Sequence, residues 1–198
     1  MNFLAHLYFS GQNDDIRIGG FIADFIKGND FHNFSPQIKS GILLHRKIDA
    51  FTDSHKLVEK SKTRLRKKYK KYAGVVVDIF YDHFLATNWD SYSKQTLPSF
   101  AREIYVLMAL NYFSLPAKAK RMVPFMILGN WLESYKKIEM IELVLQRMPN
   151  RTSLPSEAKF GIEILNEHYI SFNQEFNEFY GDLITFLNRK NEHQKLVS

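Results

Sequence analysis

The stretch Leu43–Asp53, LLHRKIDAFTD, decides the fold and the function that we predict for this chain. It contains no Gly or Pro, and its apolar residues recur at helical spacing, which predicts a helix. His45, Asp49 and Asp53 follow each other at steps of four residues, so they share one face of that helix. An imidazole and two carboxylates on one face are able to bind a divalent cation, because both groups are metal donors. The alternative is an exposed polar face on which His and Asp pair with each other.

The composition is typical of a globular protein. The chain has 198 residues, of which 45% are hydrophobic, 24% charged and 15% aromatic. This length is sufficient for one domain with a substantial core. Because no linker, repeat or low-complexity tract interrupts the chain, we predict a single helical domain over residues 1–198. The polar tail at residues 190–198 is expected to fray.

Cysteine usage and hydropathy indicate where such a protein works. Cysteine is absent, which excludes disulfides and thiolate metal sites and is consistent with a reducing compartment. The first ten residues, MNFLAHLYFS, lack the basic flank and the long apolar run of a signal peptide. No apolar run approaches the roughly 18 residues that a membrane-spanning helix needs. We therefore expect a soluble, cytoplasmic protein that has no membrane partner.

Helical periodicity dominates the rest of the chain, whereas strand signals are scarce. The central helix is expected to begin at Ser35-Pro36, an N-cap followed by Pro at the first helical position. The sequence thus predicts an all-α protein. Its other predicted helices are Phe3–Phe9, Ile16–Lys27, Leu57–Tyr72, Val75–Trp89 after a break at Gly74, Pro98–Asn111, Lys118–Tyr135 with a kink or split near Pro124 and Gly129, Ile138–Met148, and Ser156–Leu187 as one helix or two.

A second informative stretch is Val75–Trp89, VVVDIFYDHFLATNW. It is apolar on almost every side, so we expect a buried helix. Asp78 and Asp82 lie one turn apart in it, and His83 follows. Two carboxylates this close repel each other in a buried helix and need a cation, a proton or an arginine between them. We favour a metal or catalytic site over a structural pairing with arginine.

Two further metal-type donors occur on apolar helices near the start of the chain. His6 lies on the first helix, and Asp24 interrupts the apolar run IGGFIADFI. An unpaired buried carboxylate costs several kcal/mol, so Asp24 is expected either to form a salt bridge or to bind a metal or substrate. If the apolar faces of these helices share one core, the donors converge. The converging set consists of His6, Asp24, His45, Asp49, Asp53, Asp78, Asp82 and His83.

A cluster of His and Asp without Cys suits Mn, Mg or Fe, with Zn also possible. Such a metal lowers the pKa of a bound water from 15.7 to about 7 and neutralises charge on a phosphoryl oxygen. The donors therefore predict the metal-assisted hydrolysis of a phosphate ester. They do not identify the substrate.

The positive charge of the chain is concentrated in one segment. The formal net charge is +6, and Lys60–Lys71, KSKTRLRKKYKK, is dense in Lys and Arg. Its charges lie on nearly all sides of the predicted helix. The segment is therefore either a solvated surface or a docking surface for an acidic partner.

Four of these stretches resemble the acyl carrier protein phosphodiesterase family: MNFLAHLYFS at 1–10, GGFIADFIKG at 19–28, GILLHRKIDAFTDSH at 41–55 and DIFYDHFLATNW at 78–89. Weaker similarity continues through NWLESY and into HYISFNQEFNEFYGDL, so it spans nearly the whole chain. The resemblance implies an all-helical fold distantly related to the HD-domain phosphohydrolases. It also implies a divalent metal, commonly Mn, and removal of 4′-phosphopantetheine from the serine of holo-acyl carrier protein to give the apo form. The chain has no His-Asp dipeptide, which is the signature of the HD superfamily; Asp82-His83 is the reverse order.

The resemblance also implies a set of site residues. The metal ligands carried over are His6, Asp24, His45, Asp49, Asp78 and Asp82, with His83 close by. We expect Asp49 or Asp82 to orient the attacking water, and Arg46 or a Lys of the basic segment to hold the phosphate. Acyl carrier protein is strongly acidic, so Lys60–Lys71 would offer it a complementary surface.

Other functions remain open from the residues alone. An HD-like phosphohydrolase acting on a nucleotide would share the same donors without needing an acidic protein partner. A non-catalytic binder of an acidic partner, such as a family member that binds the carrier protein without cleaving it, would use only the basic segment. A nucleic-acid binder is disfavoured, because few aromatics interleave the Lys/Arg run and no recognised motif is present.

Overall fold

A computed structural model describes the backbone of residues 1–150 and 152–196 and the side chains of residues 1–149 and 152–189. In those residues the regular structure is helical, without a strand, which confirms the predicted all-α class. The predicted tail at 190–198 lies outside the residues whose side chains are described. The α-helices are α1 (Phe3–Phe9), α2 (Asp14–Ile22), α3 (Pro36–Ser54), α4 (Lys56–Tyr69), α5 (Ala73–Thr87), α6 (Trp89–Tyr92), α7 (Leu97–Leu110), α8 (Ala117–Leu128), α9 (Trp131–Ser134), α10 (Ile138–Arg147), α11 (Ala158–Glu167) and α12 (Tyr169–Leu196).

The central helix α3 begins as predicted. The Ser35 hydroxyl accepts a hydrogen bond from the backbone N–H of Ile38 at 3.3 Å, and Pro36 occupies the first turn, where its missing N–H has no partner to lose. Ile42 and Ile48 are fully buried on the inner side of α3. This packing fixes the rotation of α3 about its axis and therefore the direction of its polar stripe.

Helices α2 and α3 cross in backbone contact at two glycines. A Cβ atom on Gly19 would lie 2.1 Å from the carbonyl oxygen of Ile38, and one on Gly41 would lie 2.1 Å from that of Ile16. Only glycine allows this approach, since any side chain would collide with rigid backbone. The close crossing brings the end of α2 alongside the middle of α3.

Helix α5 is the centre of the core. Its apolar residues Ile79, Phe80 and Phe84 are fully buried, as predicted from its uniformly apolar sequence. Helices α1, α4, α10 and α12 pack around it. From α12, Phe172 contacts Phe80 in a T-shaped arrangement with 5.5 Å between ring centroids.

Several boundaries differ from the sequence prediction. Helix α2 ends at Ile22 and tightens into a 3-10 turn at Ala23–Phe25, so Asp24 lies on a turn and not inside a helix. Gly74 lies inside α5, and the break before that helix falls at Lys70, whose φ of 51° is left-handed. The predicted segment Lys118–Tyr135 divides at Asn130, which has a φ of 45°.

The last predicted helix, Ser156–Leu187, is present as two, α11 and α12, which meet at His168. None of the helices in the described part of the chain is both long and apolar enough to cross a membrane.

Candidate metal centre

Three of the predicted donors converge at one point. His6 comes from α1, and His45 and Asp49 come from α3; their ligand atoms all lie within 4.8 Å of one another. The Asp49 carboxylate lies between the two histidines, with Oδ1 3.1 Å from Nε2 of His6 and Oδ2 3.1 Å from Nε2 of His45. His45 and Asp49, four residues apart on α3, thus lie on one face of the helix, as predicted.

The backbone of α2 orients His45. Its Nδ1–H donates a hydrogen bond of 2.8 Å to the carbonyl oxygen of Gly20, which the glycine crossing of α2 and α3 places there. Nε2 then faces Asp49 and also Oδ1 of Asp24, 3.2 Å away. A ring nitrogen between two carboxylates requires a proton or a metal cation, since its lone pair would otherwise face two negative groups. The Nδ1 contact is of the kind that orients metal-binding histidines.

His6 faces the same carboxylate from the opposite helix. Its Nε2 lies 3.0 Å from the carbonyl oxygen of Met1 as well as 3.1 Å from Asp49. Its Nδ1 is buried and has no hydrogen-bond partner among the described residues. One nitrogen of this imidazole is therefore unused by the protein itself.

The cluster has a buried floor and an open rim. The side chains of His6 and His45 are only 3% and 4% exposed, whereas those of Asp49 and Asp24 are 39% and 57% exposed. Solvent, and hence a substrate, can reach the carboxylate side of the cluster. Catalytic metal sites keep such an open side, in contrast to closed structural ones.

The two histidines differ in charge. Burial lowers the pKa of His45, but hydrogen bonds to Asp24 and Asp49 outweigh it and raise this pKa to about 9. Burial lowers the pKa of His6 to about 4, because Asp49 offsets it only in part and the neighbouring His45 opposes a second positive charge. Burial acts to raise the pKa of Asp49, yet its hydrogen bonds to both histidines hold it well below the usual range. The resulting site has one imidazolium, one neutral imidazole and ionised carboxylates.

These residues fit a divalent cation. Two imidazole nitrogens and the oxygens of Asp49 and Asp24 form a mixed N/O donor set that suits Mn, Fe or Zn. A cation could replace the proton that His45 otherwise needs, and Nε2 of His6 faces the same carboxylate. His6, His45 and Asp49 form the candidate centre, and Asp24 is a further donor at its rim.

Asp78 borders this centre. Its Oδ1 lies 3.0 Å from the α-amino nitrogen of Met1, which is also 3.7 Å from Oδ1 of Asp49. Burial raises the pKa of Asp78, and the positive amino group only partly counteracts it. The cation beside this predicted ligand is thus the Met1 amino group. No side-chain pattern in the sequence could have indicated it.

Asp82 does not join the cluster. It is fully buried, and its carboxylate accepts backbone N–H bonds from Asn2 at 3.2 Å, Leu4 at 2.8 Å and Ala5 at 3.4 Å. Burial raises its pKa to about 7, although these hydrogen bonds act in the opposite direction. Asp82 therefore anchors the start of α1, on which His6 lies.

His83 points to a different part of the core. Its Nδ1–H donates to the carbonyl oxygen of Tyr135 at 2.7 Å, and its Nε2 lies 2.9 Å from the hydroxyl of Tyr169. Burial lowers its pKa, so the ring is neutral. Both nitrogens are occupied, and the structure does not bring His83 to the candidate centre.

The remaining predicted residues, Arg46 and Asp53, lie on α3 outside the candidate centre. Arg46 donates to the carbonyl oxygen of Ile26 at 3.2 Å, and its guanidinium lies over the ring of Phe31, 5.0 Å from the centroid. Asp53 is exposed. Because an α-helix turns by about 100° per residue, Asp53 is rotated by about 80° from His45. The structure does not include it in the centre.

The fold and this cluster define an all-helical protein with a candidate centre for a divalent cation. The chain belongs to the acyl carrier protein phosphodiesterase family, whose profile matches residues 1–183. A Yersinia pestis protein named acyl carrier protein phosphodiesterase is 30% identical over 197 residues, which are 99% of this chain and 100% of the relative.

Two further relatives have the same name. Those of Yersinia enterocolitica and Photorhabdus laumondii are each 32% identical over 181 residues, which are 91% of this chain and 94% and 91% of the respective relatives. The resemblance seen in the sequence motifs is thus confirmed over the length of the chain. No solved structure matches the chain, and a relation to the HD-domain fold stays a prediction.

Proposed function

We propose that this protein is a metal-dependent phosphodiesterase that hydrolyses 4′-phosphopantetheine from holo-acyl carrier protein and leaves the apo form. The observation that carries the proposal is the convergence of His6, His45 and Asp49 in a chain of this family. The relatives' shared name supplies the substrate class. The half-exposed carboxylates of Asp49 and Asp24 support it, because a substrate must reach the centre.

His6, His45, Asp49 and Asp24 are the residues that would hold the metal, and Mn is our preferred candidate. When bound, a divalent cation supplies charge neutralisation at a phosphoryl oxygen and lowers the pKa of a water. The hydrogen bond from His45 to the Gly20 carbonyl keeps Nε2 directed at the centre.

The carboxylates provide the proton acceptor that hydrolysis needs. Asp24 is ionised, because burial, which raises its pKa, is outweighed by the hydrogen bond to His45. It is also the most exposed member of the cluster. We propose that Asp49 or Asp24 orients the attacking water and that Asp82, enclosed by backbone amides, acts only by positioning α1.

Arg46 remains our candidate for contact with the phosphate. Its guanidinium is half-buried and fixed by the carbonyl oxygen of Ile26 and by the face of Phe31. A fixed guanidinium loses little entropy when it binds an oxyanion, and the N–H groups that Ile26 does not use are suited to this task.

The acidic partner in this proposal is the carrier protein itself. The predicted docking segment, Lys60–Lys71, falls on α4 and the turn after it, and five of its eight cations lie in ion pairs. These pairs are Lys60 and Arg64 with Glu175, Lys62 and Arg66 with Glu59, and Lys68 with Glu157. Docking through this segment would therefore rely on Lys67, Lys70 and Lys71. We also propose that the protein acts in the cytoplasm.

Mass spectrometry of the intact carrier protein tests the reaction. Holo-acyl carrier protein is incubated with this protein and Mn, and the expected product is the apo form, lighter by one phosphopantetheine. Parallel reactions with excess EDTA should leave the holo mass unchanged. Retention of the holo mass in the presence of Mn, Mg and Fe would contradict the proposed function.

A further inference from the structure

Helix α8 presents an unusual exposed stripe. Lys118, Arg121, Phe125 and Leu128 are spaced by three, four and three residues, so they share one face of α8. All four are exposed, and the two apolar members have exposed fractions of 58% and 86%. Large apolar side chains exposed next to each other on a helix are typical of an interaction surface.

The cations of this region form no ion pair with another described residue. In the part of the chain that the structure describes, no carboxylate forms an ion pair with any of them, in contrast to the paired cations of α4. Helix α10 also has two carboxylates, Glu139 and Glu142, the second of which accepts a hydrogen bond from Gln146. The unpaired cations are Lys118, Lys120, Arg121, Lys136, Lys137 and Arg147.

An apolar cavity of about 460 Å³ opens beside the stripe. Phe125 and Leu128 line it from α8, Val144 and Arg147 line it from α10, and Phe3 lines it from α1. Its size and apolar lining suit a flexible chain rather than a charged group.

The wall of this cavity continues into the candidate metal centre. Asn2 lines the cavity, and its backbone N–H donates to Asp82. The preceding residue, Met1, contacts Asp78 and Asp49 through its amino group. The first three residues of the chain thus link the lining of the cavity to the surroundings of the centre.

We propose that the acidic carrier protein docks on the face formed by α8 and α10, rather than on α4, and that the apolar part of its prosthetic arm enters this cavity. The inference rests on the proposed function, since it assigns a surface to the same substrate. Unpaired cations offer complementary charge to an acidic protein, and a rim of exposed apolar residues adjoins them. A second copy of this chain is a poorer occupant, because a two-fold contact would set these cations against each other.

Two matched double variants test the docking face. Lys118→Glu/Arg121→Glu reverses two exposed charges on α8, and Lys67→Glu/Lys71→Glu reverses two exposed charges at the end of α4 and in the following turn. The change in net charge is identical, so a general electrostatic effect cancels in the comparison. Binding of fluorescently labelled apo-acyl carrier protein is measured by anisotropy, and calorimetric titration with Mn verifies that each variant retains its centre.

The α8 variant is expected to weaken binding of the apo carrier protein by about tenfold or more, and the α4 variant by less than about threefold. The proposal is overturned if the α4 variant loses as much as the α8 variant, or if the unmodified protein binds no carrier protein. Because apo carrier protein contains no phosphodiester, this result is independent of turnover. If the carrier protein binds but is not hydrolysed, the proposed function is contradicted and the docking surface is supported. If the α8 variant hydrolyses the carrier protein as well as the unmodified protein does, the docking surface is contradicted and the proposed function is supported.

A variant of the exposed apolar pair tests the cavity. Phe125→Ser/Leu128→Ser alters two side chains on the surface, so the core is not perturbed. It is expected to raise the KM for holo-acyl carrier protein by about fivefold or more, with a smaller effect on binding of the apo form. Equal losses for the two forms would exclude the cavity as the site of the arm.

Discussion

The imidazole rings of His6 and His45 are stacked, with 3.5 Å between their centroids and 11° between their planes. Asp49 contacts both through its two oxygens. Two imidazolium rings this close would repel each other, so the pair accommodates one positive charge between them. The same geometry that accommodates one proton offers two nitrogens and a carboxylate to one divalent cation. Helices α1 and α3 must both be in place for the pair to exist.

Asp49→Asn should remove most of the metal affinity and activity. The amide retains one oxygen but presents its NH₂ group to one of the two histidines, and it has no negative charge to offer a cation. We expect Mn binding to weaken by about 10- to 100-fold, and hydrolysis of holo-acyl carrier protein to fall at least as far. Calorimetric titration and a turnover assay measure the two quantities.

Asp53→Asn is the matched control for this substitution. It makes the same chemical change one helical turn later, at an exposed residue outside the cluster. Both quantities should stay within about threefold of the unmodified protein, as expected for a surface change. Equal effects of the two substitutions would show that the cation does not bind between His6 and His45.

Metal binding should become stronger as the pH rises. Hydrogen bonds to Asp24 and Asp49 outweigh burial and raise the pKa of His45 to about 9, so a cation would have to displace a proton from Nε2 at neutral pH. The apparent affinity for Mn should therefore increase by up to about tenfold per pH unit below about pH 9. Competition titrations with a chelating dye at about pH 6, 7 and 8 measure the slope.

Asp24→Asn tests the origin of this slope. Removing one carboxylate from His45 lowers its pKa, so the variant should show a shallower pH dependence near neutrality. An affinity that does not change with pH in the unmodified protein would mean that His45 is not a ligand.

Asp82→Asn should destabilise the fold and affect the centre only through α1. The carboxylate of Asp82 is fully buried and accepts hydrogen bonds from three backbone N–H groups. In the variant an NH₂ group replaces one of the acceptor oxygens, which lowers the unfolding free energy by about 1–3 kcal/mol. The pKa of Asp82 is about 7 in the folded protein against 3.8 as a reference. The folded state thus binds more protons than the unfolded state between these values, and the stability that Asp82 contributes falls as the pH rises through that range.

Urea unfolding at about pH 5 and pH 8 tests this sign. The difference in unfolding free energy between the unmodified protein and Asp82→Asn should be larger at the lower pH, because Asn cannot titrate. Asp78→Asn serves as the control for Asp82→Asn. It makes the same chemical change at a carboxylate whose partner is the Met1 amino group and not the backbone amides of α1. A loss of metal binding in Asp82→Asn without any loss of stability would contradict the assignment of Asp82 as an anchor.

Spacing on α3 predicted the core of the site, and it did so for a physical reason. A step of four residues keeps His45 and Asp49 within 40° of each other, so their contact requires only that α3 is a helix. Two steps of four residues rotate Asp53 by about 80° from His45. Asp53 therefore does not join the centre, although the sequence analysis placed it on the same face. His6 was grouped with His45 and Asp49 because it lies on an apolar helix that was expected to share their core, and its ligand atom lies within 4.8 Å of theirs.

The direction of side chains on α5 was not predictable in the same way. A helix that is buried on every side has no polar face to indicate which residues meet. Asp82 and His83 are adjacent in sequence, and one contacts α1 while the other contacts Tyr135 and Tyr169. Their shared role as metal donors was inferred from residue type, whereas their contacts depend on the direction in which each side chain points.

The charge pattern of α4 shows a similar limit. Its pairing of Lys62 with Glu59 is local and follows from spacing. Its pairing of Arg64 with Glu175, at 2.7 Å, depends on α12, more than a hundred residues later in the chain. A run of cations in a sequence therefore does not reveal how much of its charge faces solvent.

Gly41→Ala should disrupt the centre without changing any of its donors. The new Cβ atom would lie 2.1 Å from the carbonyl oxygen of Ile16, so α2 and α3 must separate and the Gly20 carbonyl must leave His45. Such overpacking costs about 1–3 kcal/mol or more, and we expect Mn affinity to fall as well. Gly181→Ala on α12 is the control, because nothing lies within 4 Å of its Cβ position. It should be neutral or stabilise the protein by up to about 1 kcal/mol. Thermal unfolding with and without Mn measures both effects, and a Gly41→Ala protein as stable as Gly181→Ala would refute the proposal that this crossing builds the site.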